Sequence, residues 1–163
     1  MLIRDAIAAD IPAVTEIYNS VLLTSTAIYN DTPVTLEDRI AYWQGRTAQD
    51  YPLLVAIDED NTILGYATFG DFRSWPGYRF TVEGTIHIRD GVRGKGIGTA
   101  LLNELTARAR TCNKHVMIAG VDSTNAASIA FLTHFGFTSA GTLHQVGFKF
   151  NRWLDLHFLE YRL

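Results

Sequence analysis

The sequence predicts a mixed α/β fold, a sheet of short strands flanked by helices, and three observations carry that expectation. Segments of period two and of period 3.6 alternate along the chain, strands first and then strand-helix-strand-helix-strand. Leu53–Ile57 and Thr62–Gly70 are apolar runs joined by the turn Asp58-Glu59-Asp60-Asn61, which reads as a hairpin and makes part of the sheet antiparallel. His115–Val121 is almost wholly apolar, as a strand covered on both faces must be.

The elements follow in order. Leu2-Ile3-Arg4 is a first strand. Asp10 is placed to cap a helix that has Pro12 in its first turn and Ile11, Val14, Ile17, Tyr18 and Val21 on its apolar face. Thr24 to Pro33 is a polar loop. A second helix runs from Thr35 to about Gln44 with Leu36, Ile40 and Trp43 on one side. After the hairpin, Trp75-Pro76-Gly77 is a strong turn signal, and Arg79 to Arg89 is a strand. A helix from Ile97 to Cys112, the apolar strand, a short helix from Thr124 or Asn125 to Gly136 and two last strands complete the chain. With no repeats, linkers or low-complexity tracts, residues 1–163 read as one domain.

Composition bounds the function. The chain has 163 residues, 47% hydrophobic and 19% charged, enough for an ordinary core. A net charge of −3 argues against general nucleic-acid binding, which needs a basic excess. Cys112 stands alone, so no internal disulfide is available, and no apolar run is long enough to span a membrane. The expectation is a cytoplasmic protein with a small-molecule partner. Five scattered histidines and one cysteine show no ligand spacing, so no metal is expected.

Val92-Arg93-Gly94-Lys95-Gly96-Ile97-Gly98-Thr99 joins a strand to a helix. Its glycines let backbone N–H groups approach a guest closely, and the helix start adds orphan donors and a positive dipole end, so the guest is an anion such as a phosphate. Arg93 and Lys95 add positive charge. The stretch fits neither the P-loop nor the dinucleotide fingerprint. What fits is Arg-x-x-Gly-x-Gly, here Arg93, Gly96 and Gly98, which resembles the acyl-CoA pyrophosphate loop of the GNAT family of N-acetyltransferases. The element order is also that family's. The resemblance implies a central, mostly antiparallel twisted sheet flanked by about four helices, with acetyl-CoA as co-substrate.

Alternation along the strand before the loop puts Phe80, Val82, Ile86 and Ile88 on one face and Arg79, Thr81, Glu83, Thr85 and His87 on the other. A strand beside a cofactor loop with a wholly polar face borders a cleft, and Glu83 is its central ionisable group. Acetyl transfer to an amine needs the ammonium deprotonated, and a partly buried carboxylate can take that proton. Thr81-Val82-Glu83 also resembles the Thr-Val-Glu in which phosphinothricin and methionine sulfoximine acetyltransferases place their base. The resemblance implies that this strand's backbone, around Ile86, His87 and Ile88, holds the pantetheine arm.

Asn125-Ala126-Ala127-Ser128-Ile129, followed by Gly136-Phe137, resembles the family segment whose Asn contacts pantetheine, which implicates Asn125 and Ser128; Asn125 is equally placed to be a helix cap. Seven residues after that Asn the family usually has Tyr, or His in the phosphinothricin subgroup, as proton donor to the thiolate. Here it is Leu132, so the role is vacant or falls to water, His134 or Tyr161.

Ala27-Ile28-Tyr29-Asn30, Asp71-Phe72-Arg73 and Gln145 to Leu156 are similar to the bacterial methionine sulfone/sulfoximine and phosphinothricin N-acetyltransferases, whose members are typically homodimers. The expected reaction is acetylation of the α-amine of a small amino-acid analogue. Arg73 and Arg79 are the candidate carboxylate contacts, and Tyr29, Trp75 and Phe80 the candidate pocket walls. The alternatives are acetylation of another amine (a polyamine, an aminoglycoside or a protein terminus) and a non-catalytic acyl-CoA-binding module.

Overall fold

A computed structural model describes residues 1–163. The strands are β1 (Leu2–Asp5), β2 (Leu53–Ile57), β3 (Ile63–Asp71), β4 (Thr81–Ile88), β5 (Val116–Asp122), β6 (Thr138–Lys149) and β7 (Arg152–Arg162). They form one sheet in the order β1-β2-β3-β4-β5-β7-β6, in which only β4 and β5 run parallel. The helices are α1 (Ile11–Thr24), α2 (Leu36–Ala48), α3 (Ile97–Thr111) and α4 (Ala126–Phe135).

The two faces of the sheet bury different cores. Leu54, Ala67, Phe69, Val82, Met117 and Leu159 pack against Leu101, Leu102 and Leu105 of α3 and Leu132 of α4. On the other face Leu53, Val55, Ile57 and Tyr66 pack against Ile11, Val14 and Ile17 of α1. This alternation of odd and even residues along β2 is why the strand reads as continuously apolar.

Three elements differ from the sequence expectation. Asp10 makes no cap hydrogen bond to α1; its carboxylate accepts from the Arg4 guanidinium at 2.5 and 3.0 Å and from the Ile7 N–H at 2.8 Å. An ion pair outcompetes the cap, and it holds the carboxyl below the usual carboxylate range. Helix α2 runs to Ala48, beyond Gln44, because Gly45 does not stop a helix whose start is secured by a reciprocal Thr35–Asp38 capping box. Strand β4 begins at Thr81 and not at Arg79. Pro76–Tyr78 forms a 3₁₀ turn, and Arg79 continues it with helical φ −55° and ψ −21°.

Candidate active site

β4 and β5 pair only at Thr81–Val116, Val82–Met117 and Glu83–Ile118, and then part. β4 remains paired with β3 as far as Ile88, and β5 with β7 as far as Asp122, so a wedge opens inside an otherwise continuous sheet. The Arg89 N–H donates to the Leu64 carbonyl, which fixes the alternation: Glu83, Thr85 and His87 bond toward β3, whereas Ile86 and Ile88 turn their N–H and C=O groups into the wedge, and Gly84, whose N–H is still spent on the Ile118 carbonyl, turns only its C=O there. Unpaired strand groups at the wall of a cavity need a ligand or water. Of the three strand residues expected to hold pantetheine, Ile86 and Ile88 therefore have free backbone groups. The backbone of His87 is spent on Tyr66, and its ring is buried beneath Tyr18 and Tyr66. Burial drives the His87 pKa down to about 4, with Arg39 and Arg93 adding to the effect, so the imidazole is neutral.

Two adjoining cavities follow the wedge, of about 580 Å³ and about 540 Å³. They share Ala27, Ile86, His87, Asn125, Ser128 and Phe131. The smaller one holds the glycine turn expected to take an anion. Gly94 (φ +79°) and Gly96 (φ +77°) are left-handed, and a Cβ built on either would meet nothing within 4 Å. Their requirement is conformational: the turn presents N–H groups at the start of α3, whose first turn carries no acidic residue. Gly98 differs, because a Cβ there would lie 3.3 Å from the Phe131 ring; it is glycine for close packing on α4.

Arg93, Ile97 and Thr99 also line this cavity, and Lys95 does not. Arg93 is ion-paired: Asp90 accepts from it at 3.0 Å and in turn accepts from Ser20. Asn125 caps α4, accepting the Ser128 N–H at 3.1 Å, while its own amide group makes no hydrogen bond within the chain. It borders both cavities.

Glu83 stands at the other end of the wedge. Its Oε1 lies so close to β5 that a Cβ on Gly120 would come within 3.2 Å of it, with Leu156 equally near. The glycine makes room for the carboxyl. Desolvation among these neighbours raises the Glu83 pKa, opposed in part by the positive charge of Arg73. Glu83 does not itself line either cavity, but its neighbours Gly84 and Gly120 line the larger one, and a carboxyl perturbed this way at a cavity's edge is suited to accept a proton.

The remaining acceptor-side expectations fare differently. Arg73 is exposed, stacked 5.0 Å from the Phe72 ring, and close enough to act on Glu83. Arg79 lies outside the strand and does not share the Glu83 face; its guanidinium donates to the Pro76 carbonyl and covers Phe80. Trp75 is 74% exposed and Phe80 41% exposed, and neither lines either of these two cavities, because the 3₁₀ turn lifts the segment off the sheet. Tyr29 packs on Gly147, where a Cβ would come within 2.5 Å of its ring, and its hydroxyl donates to the Asp155 carbonyl.

The larger cavity is walled instead by Ile28, Val34, Arg39, Tyr42, Tyr66 and Asp122. Asp122, 2% exposed, holds the α1–α2 connection by accepting from Thr26 and Thr124. Sequence reasoning missed these residues. Arg39 alone left a signal, as a charge inside the apolar stripe Leu36–Ile40–Trp43. Leu132 is buried in the cavity wall, His134 is exposed, and Tyr161 is stacked on Phe137.

This architecture can be set beside known proteins. The model of the Acetyltransferase (GNAT) family matches residues 14–137. The chain is 48% identical over 161 residues to an L-methionine sulfoximine/L-methionine sulfone acetyltransferase of Pseudomonas paraeruginosa, covering 99% of this chain and 94% of that one. An acetyltransferase of Salmonella typhimurium, solved with its cofactor acetyl-CoA, superposes with a TM-score of 0.97 at 47% identity over 100% of this chain and 94% of that one. A phosphinothricin acetyltransferase of Sinorhizobium meliloti in complex with acetyl-CoA gives 0.95 at 39% identity, covering 99% and 88%. With its wedge, its glycine turn and these likenesses, the chain belongs to the GNAT family and is an acetyl-CoA-dependent N-acetyltransferase.

Proposed function

We propose that the enzyme acetylates the α-amine of a small amino-acid analogue of the methionine sulfone, methionine sulfoximine or phosphinothricin kind, with Glu83 as general base. The observation that carries the reading is the desolvated Glu83 carboxyl, seated over Gly120 where β4 and β5 part. Relatives named for those substrates support the acceptor class.

Glu83 takes one proton from the acceptor ammonium, directly or through a water, and leaves a nucleophilic amine. The Ile86 N–H, free where the strands part, polarises the thioester carbonyl while the new C–N bond forms. The C–S bond then breaks. The nitrogen's surplus proton passes to solvent, and the departing thiolate, with an unperturbed pKa near ~8.5, needs no donor from Leu132. Gly94, Gly96 and the start of α3 would hold the pyrophosphate, Asn125 and Ser128 the pantetheine side, and Arg73 at the mouth the acceptor carboxylate.

We place the enzyme in the cytoplasm as a homodimer. The exposed aromatic tip of the β6–β7 hairpin (Phe148, Phe150, Trp153) supports a second copy docking there.

Thiol release from acetyl-CoA across an amine panel tests the reading. Methionine sulfone and sulfoximine should outrun their methyl esters, and polyamines and aminoglycosides should be poor. Equal turnover of acid and ester would move the reading to a broader amine acetyltransferase, and no release with any amine to an acyl-CoA-binding module.

A further inference from the structure

Helix α2 carries two arginines into the interior, and Arg39 is the one that reaches the cavity. It is 7% exposed, its Nε has no hydrogen-bond partner, and no carboxylate forms an ion pair with it. The neighbouring Asp38 is committed to the Thr35 N–H and hydroxyl. The guanidinium is matched only by aromatic faces, with its carbon 3.6 Å from the Tyr18 ring centre and 4.8 Å from that of Tyr42. Arg46, two turns later, has a phenol partner in Tyr42 and a seat over Gly70; Arg39 has neither. A buried cation left without an anion is a cost that folding alone gives no reason to keep. The same plane stacked between two rings is a rigid fork, ready for oxygen acceptors.

From these observations we infer that Arg39 recognises the oxygen-bearing head at the far end of the acceptor, the sulfone, sulfoximine or phosphinyl oxygens. This rests on the acceptor class proposed above. Spacing along β4 favours that head over the α-carboxylate. Arg39 stacks on Tyr18, which packs on His87 together with Tyr66, so it sits at the His87 end of the cavity. Glu83 and His87 share a face of β4, four residues or roughly 13 Å apart. An amine bridged to Glu83 by a water uses about 5–6 Å of that span, two hydrogen bonds end to end, and the last bond to a guanidinium about 3 Å more. About 4–5 Å remain for the acceptor itself. At roughly 1.2–1.3 Å of reach per bond, a carboxylate oxygen three bonds from the nitrogen reaches under about 4 Å and falls short, whereas an oxygen on sulfur or phosphorus, five bonds away, reaches about 6 Å and spans the gap with the chain bent. The carboxylate is then left for Arg73 at the mouth.

A site whose buried donors need acceptor oxygens rejects an analogue that lacks them, because the donors stay unpaired in the complex. Arg39 thus discriminates oxidised methionine from methionine itself, which has the same chain and no head oxygen.

The experiment compares wild type, Arg39→Met and Arg39→Lys, measuring kcat/KM for methionine sulfone and for methionine, the acetyl-CoA KM and the melting temperature. Arg39→Met should lower the sulfone-to-methionine ratio at least ~30-fold, leave the acetyl-CoA KM within a few-fold and leave the melting temperature unchanged or higher, since it removes an unpaired buried charge. Arg39→Lys keeps the charge without the fork and should lower the ratio by a smaller factor; it carries the test if the Met variant does not fold. An unchanged ratio, whether all acceptors fall together or none does, overturns the inference and leaves the amino-acid reading standing. Wild type that turns over no amino-acid sulfone removes the acceptor class itself, and that result is visible before any variant is made.

Discussion

The two ends of the cleft are built from different materials. At the end proposed to hold the pyrophosphate, the groups on offer are backbone N–H donors from a left-handed glycine turn and the start of α3, all within one short segment. At the acceptor end they are side chains from β4, α2 and α1, half or fully buried, two of them charged and held at a cost in solvation. A pyrophosphate is the same in every turnover, and a generic backbone cradle suffices for it. An acceptor must be told from its neighbours, and that takes charged groups in a desolvated place.

If this division of labour holds, variants at each end should fail differently. The largest effect is expected from Glu83→Gln, which removes the base and keeps the size: kcat should fall on the order of 10²–10⁴-fold with acetyl-CoA binding retained. The same variant should be more stable than wild type above neutral pH. A carboxyl whose folded pKa is raised binds a proton more tightly in the folded state, so its ionisation erodes stability as pH climbs from the ordinary carboxylate value through the folded one. The difference should vanish in acid, where both states are protonated.

Lys149→Met breaks the comparison by damaging both ends together. The Lys149 ammonium, 1% exposed, donates to the carbonyls of Leu22, Ser25 and Ile28 at 2.5, 2.8 and 2.7 Å, tying the end of α1 and the connection after it to β6. That connection supplies Ala27 to both cavities. Orphaning these carbonyls should cost about 3 kcal/mol in denaturant unfolding and raise both KM values.

Gly96→Val sharpens the comparison from the other side. A β-branched residue at φ +77° is strained by about 1–3 kcal/mol, and nothing in the fold clashes with its Cβ. The acetyl-CoA KM should rise roughly 10–100-fold with the acceptor KM little changed. Gly98 would be a poor site for this test, because its substitution presses on Phe131.

The same division explains what could be read from the sequence. Strand and helix periods and the glycine turn are local patterns, so the sheet, the helices and the strand-to-helix turn were legible in advance, and Glu83 lay in reach because it shares a strand with the loop. The acceptor end was not. Arg39 and Tyr18 are on different helices, and their meeting over Tyr66 and His87 is a property of packing. Gly120 looked like one residue in an apolar run, and its use shows only when the Glu83 carboxyl is seen above it. Arg79 misled because Pro76 and Gly77 continued into one more helical residue before the strand began.

The central claim, that a desolvated Glu83 accepts the ammonium proton, is tested most directly by the pH dependence of kcat/KM for the amine in wild type and Glu83→Gln. Wild type should show an acid limb with an apparent pKa above the ordinary glutamate value, because the rate rises as Glu83 ionises. The variant should lack that limb and retain only the limb set by ionisation of the amine. An acid limb that survives unchanged in Glu83→Gln, at a rate within a few-fold of wild type, would contradict the account.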